Sequence, residues 1–520
     1  MTMKKIIIST IAVSALLFTV TSCKTDFDND VKDIQVSKGS ADFTKYVALG
    51  NSLTSGFRDG ALYIDGQNES YPSMIAQQMK LVGGGDFKQP LMADNNGGLI
   101  LATSSTSTLQ IANTKLYIKG FVDGSPDLDN ANGNVATTVV NTVLSGPFNN
   151  LGVPGAKVAH LLAPGYGNVQ GVAAKTANPY FVRFASEPNT SVIADFKKQN
   201  PTFFSLWIGN NDALLYALAG ADSSVETLTP PAQFAQYYNA LVAQIAGTKA
   251  KGVIANIPSV TSVPALTTIP TNPLTAAVLG KGNVAAGEAV IDDLNKNLYG
   301  PLSQILTAIG AGDRIKPLSK TAANPLLIKD ESIPDLKVQI TAAAAGSGNP
   351  TLIALAAYLG ATYGQARQAK SGDLVPLTTK AEIGKLETLP VGIPASLGAK
   401  GVAYPFADRY ILVPSEITEI NTAIDAYNVA IKAAATSQGY AFVDANAKLK
   451  ELATNSGIVW DGVRYTAKFV SGGAFSLDGV HLTGRGYGVI ANEFIKSINA
   501  TYSSSLPLVD ANKYSGVKFP

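Results

Sequence analysis

The stretch KYVALGNSLTSGFRDG, residues 45–60, decides how the rest of the chain is read. It passes from an apolar, β-branched run at 46–49 straight into Gly50-Asn51-Ser52-Leu53. A short continuous apolar run closed by a turn signal reads as a buried parallel strand. Ser52 then stands at the carboxyl end of that strand, which is where sites collect in open α/β sheets. Residues 203–208, 253–257 and 441–443 read as further strands of the same kind. Helical periodicity lies between or after them, over 232–249, 417–435 and 487–500. Strands alternating with helices predict an α/β fold, a parallel sheet covered on both faces.

Composition limits the function. Of 520 residues, 46% are hydrophobic and 15% charged, enough apolar material for a large core and far from a disordered composition. A net charge of +2 without a basic stripe excludes electrostatic binding to nucleic acid. Two histidines and one cysteine exclude a zinc site built mainly from His and Cys. The expectation is no metal and no cofactor, with an oxygen-ligand calcium site left open. No run after the N-terminal segment reaches the roughly 18 apolar residues of a membrane span, and no repeat of solenoid length is present.

The N-terminal segment predicts a location. Lys4-Lys5 precedes an apolar stretch, 6–20, too short for a comfortable membrane span. It ends in Val20-Thr21-Ser22-Cys23, which resembles a bacterial lipobox. The resemblance implies a signal peptide over 1–22 and lipid on Cys23, with 23–44 as an acidic tether. Acyl chains on Cys23 would make a membrane its partner. Asp26, Asp28 and Asp30 directly after Cys23 resemble the surface-export signals of Bacteroidetes lipoproteins. The implied location is the outer membrane, on its periplasmic or cell-surface face. The competing reading is a secretory signal with an incidental cysteine; this cysteine has no other with which to form an intramolecular disulfide.

The remaining chain reads as one domain over 45–505 with a tail at 506–520. Two stretches look inserted. Residues from about 85 to 145 are rich in Gly, Asn, Asp and Thr, and read as loops with short strands. Residues from about 262 to 408 open with SVPALTTIPTNPL and continue with helical pieces such as NPTLIALAAYLGATYGQA. That length predicts a lid or subdomain rather than a structureless loop.

If Ser52 is a nucleophile, it needs a base, a carboxylate to orient the base, and donors for an oxyanion. His481 lies in Asp478-Gly479-Val480-His481, just before a helix that Thr483 can cap. An Asp three residues before a His in a turn can fold back onto Nδ1, leaving Nε2 for the serine. His160 has no acidic neighbour close in sequence and reads as structural. For the oxyanion, Asn150-Leu151-Gly152-Val153-Pro154-Gly155 offers a glycine amide at a tight turn. Asn211, after the strand ending in Trp207-Ile208, offers side-chain N–H groups. The amide of Ser52, at a helix start, is a third donor.

Gly50-Asn51-Ser52-Leu53, Gly155, Gly209-x-Asn211-Asp212 and Asp478-x-x-His481 resemble the four blocks of the SGNH (GDSL) hydrolases, in that family's order. The resemblance implies a flavodoxin-like three-layer α/β/α sandwich carrying two large insertions. It implies Ser52 as nucleophile, His481 as base and then acid, Asp478 as its orienting carboxylate, and an oxyanion hole from Ser52, Gly155 and Asn211. Asn51 and Asp212 are supporting residues. The family has Asp where this chain has Asn51, a residue of similar shape that keeps an acceptor and gives up the charge. No Gly-x-Ser-x-Gly is present to suggest an α/β-hydrolase elbow.

The implied reaction is hydrolysis of a carboxylic ester, of lipase or esterase type, with acyl transfer also allowed. The substrate is an ester of a lipid or an acylated glycan. Leu352, Ile353, Leu355 and Leu359 form either an acyl-binding lid or the core of a subdomain. Two alternatives stay open: a carbohydrate O-acetylesterase, and a non-catalytic surface binding lipoprotein on the same fold.

Overall fold

Five strands hydrogen-bond side by side, all parallel, and their alternating side chains build two cores. They are β1 (Tyr46–Gly50), β2 (Asn150–Gly152), β3 (Phe203–Trp207), β4 (Lys251–Ala255) and β5 (Ala441–Val443), in the spatial order β2-β1-β3-β4-β5. The structure, a computed structural model, describes residues 36–520 apart from Ser105 and Asp123. The signal segment 1–22, Cys23 and the tether up to residue 35 lie outside the described residues.

The principal helices are α1 (Ser52–Ser55), α2 (Tyr71–Lys80), α3 (Val192–Lys198), α4 (Asn211–Leu218), α5 (Pro231–Ala246), α6 (Pro350–Tyr363), α7 (Pro414–Ser437) and α8 (Gly484–Tyr502). Because strand side chains alternate faces, Tyr46, Ala48, Phe203 and Val253 pack with α2 and α8 on one side. Val47, Leu49, Phe204 and Ile254 pack with α3, α5 and α7 on the other. A sheet covered on both faces accounts for strands that read as unbroken apolar runs.

The strands differ in detail from the sequence reading. β3 ends at Trp207 rather than 208, and β4 runs from Lys251 to Ala255 rather than 253–257. β2 lies where the sequence predicts a turn, because three residues with an Asn, a Gly and no β-branched side chain carry no strand signal. It forms because Asn150, Leu151 and Gly152 are buried and in register with Ala48, Leu49 and Gly50.

The two stretches that read as insertions pack differently. The first contains two antiparallel hairpins, Leu99–Ala102 with Thr108–Ala112 and Leu116–Val122 with Ser125–Asn130. It shares a small core of Leu62, Met92, Leu99, Val140 and Val182, against which Phe57 and Tyr180 pack. The second closes around its own core, with Tyr299, Leu306, Ile328, Ile340, Tyr363 and Phe406 fully or almost fully buried. Inside it, buried Arg367 pairs with Asp330 at 2.5 Å and Asp373 at 2.8 Å. In α6, Leu355 and Leu359 point into that core, Leu352 packs at its edge, and Ile353 is exposed. α6 is thus part of the subdomain's interior, and the lid reading of its leucines gives way.

Both ends of the described chain are tied down. Phe43, in the stretch read as tether, packs edge-on against Phe203 with centroids 4.8 Å apart. The tail returns along α8, where the Asn492 side chain donates to the Val509 carbonyl at 2.8 Å and accepts from its amide at 2.6 Å. No helix among the described residues is long and apolar enough to cross a membrane.

Asn492 is fully buried, so truncating it strands both backbone groups of Val509 without water. Asn492→Ala should lower unfolding free energy by about 2 kcal/mol, measured by urea denaturation.

Candidate active site

The strand order reverses direction between β1 and β3, and at such a switch point a crevice opens beyond the carboxyl ends. Ser52 follows β1 immediately. The chain turns there because Asn51 caps α1, its side-chain oxygen accepting from Leu53 N at 3.0 Å. Asn211 starts α4 just beyond β3. Gly209 between them has φ of 112°, and a Cβ there would lie 2.8 Å from Ile257 and 2.9 Å from Phe234, so only glycine fits.

Ser52 and His481 meet although 429 residues separate them. His481 Nε2 stands 2.8 Å from Ser52 Oγ, and His481 Nδ1 stands 3.0 Å from Asp478 Oδ2. A carboxylate only accepts, so the proton sits on Nδ1 and the Nε2 lone pair faces the serine hydroxyl. Burial alone would raise the pKa of Asp478. The positive charge that His481 carries when protonated, with hydrogen bonds from His481 and Gly60, overrides burial and holds the group well below the usual carboxylate range. Its oxygens are fully used: Oδ1 accepts from the amides of Val480 (2.9 Å) and His481 (2.8 Å), and Oδ2 also accepts from Gly60 N (2.9 Å).

The donor from Gly60 belongs to a clamp not anticipated from the sequence. Asp59 accepts from Leu477 N at 3.0 Å, and its own amide donates to Ser476 Oγ at 2.9 Å. Ser476 N in turn donates to the His481 carbonyl at 2.8 Å. Asp59 is itself fixed by the Tyr63 hydroxyl at 2.6 Å, and Tyr63 by Arg58 Nε at 2.7 Å. The Phe57 ring lies 4.7 Å from that of His481, centroid to centroid. The available sign was the Asp59-Gly60 dipeptide, a strong turn former, and both residues adopt positive φ.

Gly155 occupies the third position of a turn closed by Ala156 N donating to Val153 O at 3.1 Å. Pro154 precedes it, and Gly155 has φ of 80°, the type II arrangement that calls for glycine there. Asn178, also missed, buttresses the turn by donating to the Pro154 carbonyl at 2.8 Å. Asn211 Nδ2 donates to Ala156 O at 3.0 Å, which orients the amide and leaves its second N–H free to donate. Among the described residues, the amides of Ser52 and Gly155 donate to no protein acceptor. Ser52, Gly155, Asn211, Asp478 and His481 border one cleft of about 430 Å³. A larger hollow of about 790 Å³ lies by Lys45 and Asn149, at the amino ends of β1 and β2, and none of the sequence-predicted residues borders it.

The supporting residues have specific partners. Asn51 Nδ2 donates to Asn210 Oδ1 at 3.3 Å, joining the turns after β1 and β3. Asp212 is buried and accepts from Val158 N at 3.0 Å and Thr229 Oγ1 at 2.9 Å. Burial pushes its pKa from 3.8 up to about 6, against the pull of those hydrogen bonds. His160 accepts at Nδ1 from Lys157 N at 3.1 Å, stacks on Tyr166, and does not border the cleft.

An aspartate at position 51 keeps the cap on Leu53, and a turn of the Asn210 amide restores the cross-link. Asn51→Asp should therefore hold kcat/KM on an ester within about tenfold, roughly 1.4 kcal/mol. The raised pKa of Asp212 means the folded chain binds this proton more tightly than the unfolded chain. Its contribution to stability is full below pH 3.8 and is lost as pH rises to about 6. Asp212→Asn should remove that loss, visible as a gain relative to wild type in urea-derived stability from about pH 4 to 6. Comparison with protein-family models, curated proteins and solved structures yields no match, so the reading of this cleft rests on its geometry.

Proposed function

We propose that the protein is a serine hydrolase of carboxylic esters built on the flavodoxin-like SGNH (GDSL) fold. The single observation that carries this reading is the chain Ser52–His481–Asp478 at 2.8 and 3.0 Å. It is supported by the strand order 2-1-3-4-5, which is that of flavodoxin-like sheets, and by the four sequence blocks lying in family order.

In the proposed reaction Ser52 Oγ attacks the ester carbonyl carbon while its proton passes to His481 Nε2. Negative charge gathers on the former carbonyl oxygen, where the amides of Ser52 and Gly155 and the free N–H of Asn211 serve as donors. The carbon–alkoxide bond then breaks, and His481 gives its proton to the leaving oxygen. Water attacks the acyl-serine, passes a proton to His481, and the acid departs as Ser52 recovers its hydrogen. Asp478 stays ionised throughout and stabilises the imidazolium. Lipidation at Cys23 would hold this activity on a bacterial outer membrane.

Ser52→Ala should lower kcat for p-nitrophenyl ester hydrolysis by at least about 10⁴-fold, and a fluorophosphonate probe should label the wild type at Ser52 alone. A folded protein that neither hydrolyses esters nor takes the probe would instead be a binding protein.

A further inference from the structure

The cleft has one continuous apolar wall that begins at the oxyanion donor. Asn211, Leu214, Leu215 and Leu218 occupy positions i, i+3, i+4 and i+7 of α4, so they share one helical face. All four border the cleft. The intervening Asp212, Ala213, Tyr216 and Ala217 are buried away from it. A substrate held with its carbonyl oxygen at Asn211 therefore has three leucines laid out in a line from the reacting carbon.

The lining beyond α4 is largely apolar too, and part of it comes from the segment over 262–408. Ala265, Leu377 and Val480 all border the cleft. The subdomain is fastened there by Ala265 N donating to the Gly479 carbonyl at 2.9 Å. Among the described residues, the only polar side chains on the lining apart from Ser52, Asn211, Asp478 and His481 are Tyr180 and Thr378. A sugar ring would bury several hydroxyls here with too few partners, whereas a hydrocarbon chain leaves nothing unpaired.

The wall also has a length. Seven residues of helix separate Asn211 from Leu218, a rise of about 10 Å, which an extended acyl chain of about eight carbons spans. We infer that this cleft selects esters of unbranched medium-chain fatty acids, the chain lying along Leu214 and Leu215 with Leu218 gauging its length. This rests on the ester-hydrolase reading of Ser52 and narrows it to a substrate class.

The test is a chain-length profile of the full-length protein on p-nitrophenyl esters from acetyl to palmitoyl. Wild type, Ser52→Ala, Leu218→Trp and Leu218→Ala are compared, with folding checked by circular dichroism. In the wild type kcat/KM should rise at least about tenfold from acetyl to octanoyl and then level or fall. Leu218→Trp should shift the optimum to shorter chains and Leu218→Ala to longer ones. Two mutants with opposite shifts keep the test decisive if one fails to fold. Ser52-dependent turnover that is best with acetyl ester, or an optimum that neither substitution moves, overturns the acyl trough and leaves the serine hydrolase standing. No Ser52-dependent turnover on any ester overturns both.

Discussion

The hydrogen bond between Ser52 and His481, at 2.8 Å, places one constraint on nearly the whole chain. Its two ends lie on segments that enter the fold at opposite ends of the sequence, and each is fixed by partners of its own. The serine end is fixed by β1, by the Asn51 cap, and by the bond from Asn51 to Asn210 that crosses the crevice to β3. The histidine end is a turn without regular structure, and it is held by saturation. Every lone pair of Asp478 that can accept a backbone or ring N–H has one. A largely buried carboxylate is expensive unless so satisfied, which makes the turn rigid at the place where the imidazole needs a fixed direction.

Both insertions bear on that turn. The first backs Phe57 and Tyr180, which border the cleft, through the small core it shares with Leu62 and Val182. The second supplies Ala265 and Leu377 to the cleft wall while burying most of its apolar side chains in a separate core. The second lines the cleft directly, while the first meets it through Phe57 and Tyr180.

How much of this could be read in advance followed the range of the interactions. The strands at β1, β3 and β5 were legible because residues buried on both faces leave unbroken apolar runs. The pairing of Asp478 with His481 was legible because three residues in a turn are close by chain geometry alone. β2 was not, since its strand character comes from register with Ala48 to Gly50 and not from its own side chains. The Asp59-Gly60 clamp and the Asn178 buttress were invisible for the same reason: their partners are Leu477, Asp478 and Pro154, far off in sequence. The apolar stripe of α6 left lid and subdomain core both open, because periodicity reports that a face is covered and not by what, and the structure decides for the core. The leucines facing the cleft are those of α4, a helix too short to draw notice as amphipathic.

Gly479, between Asp478 and His481, has φ of 70°, and a Cβ there would lie 2.7 Å from Ala265 N and 2.8 Å from Leu377. The turn that carries His481 and the segment over 262–408 are thus fitted to one another at a single atom's clearance. A side chain at position 479, or a bulkier one at 265 or 377, would have to be accommodated by a shift of the turn that carries His481, so tolerance of substitution is coupled across these three positions.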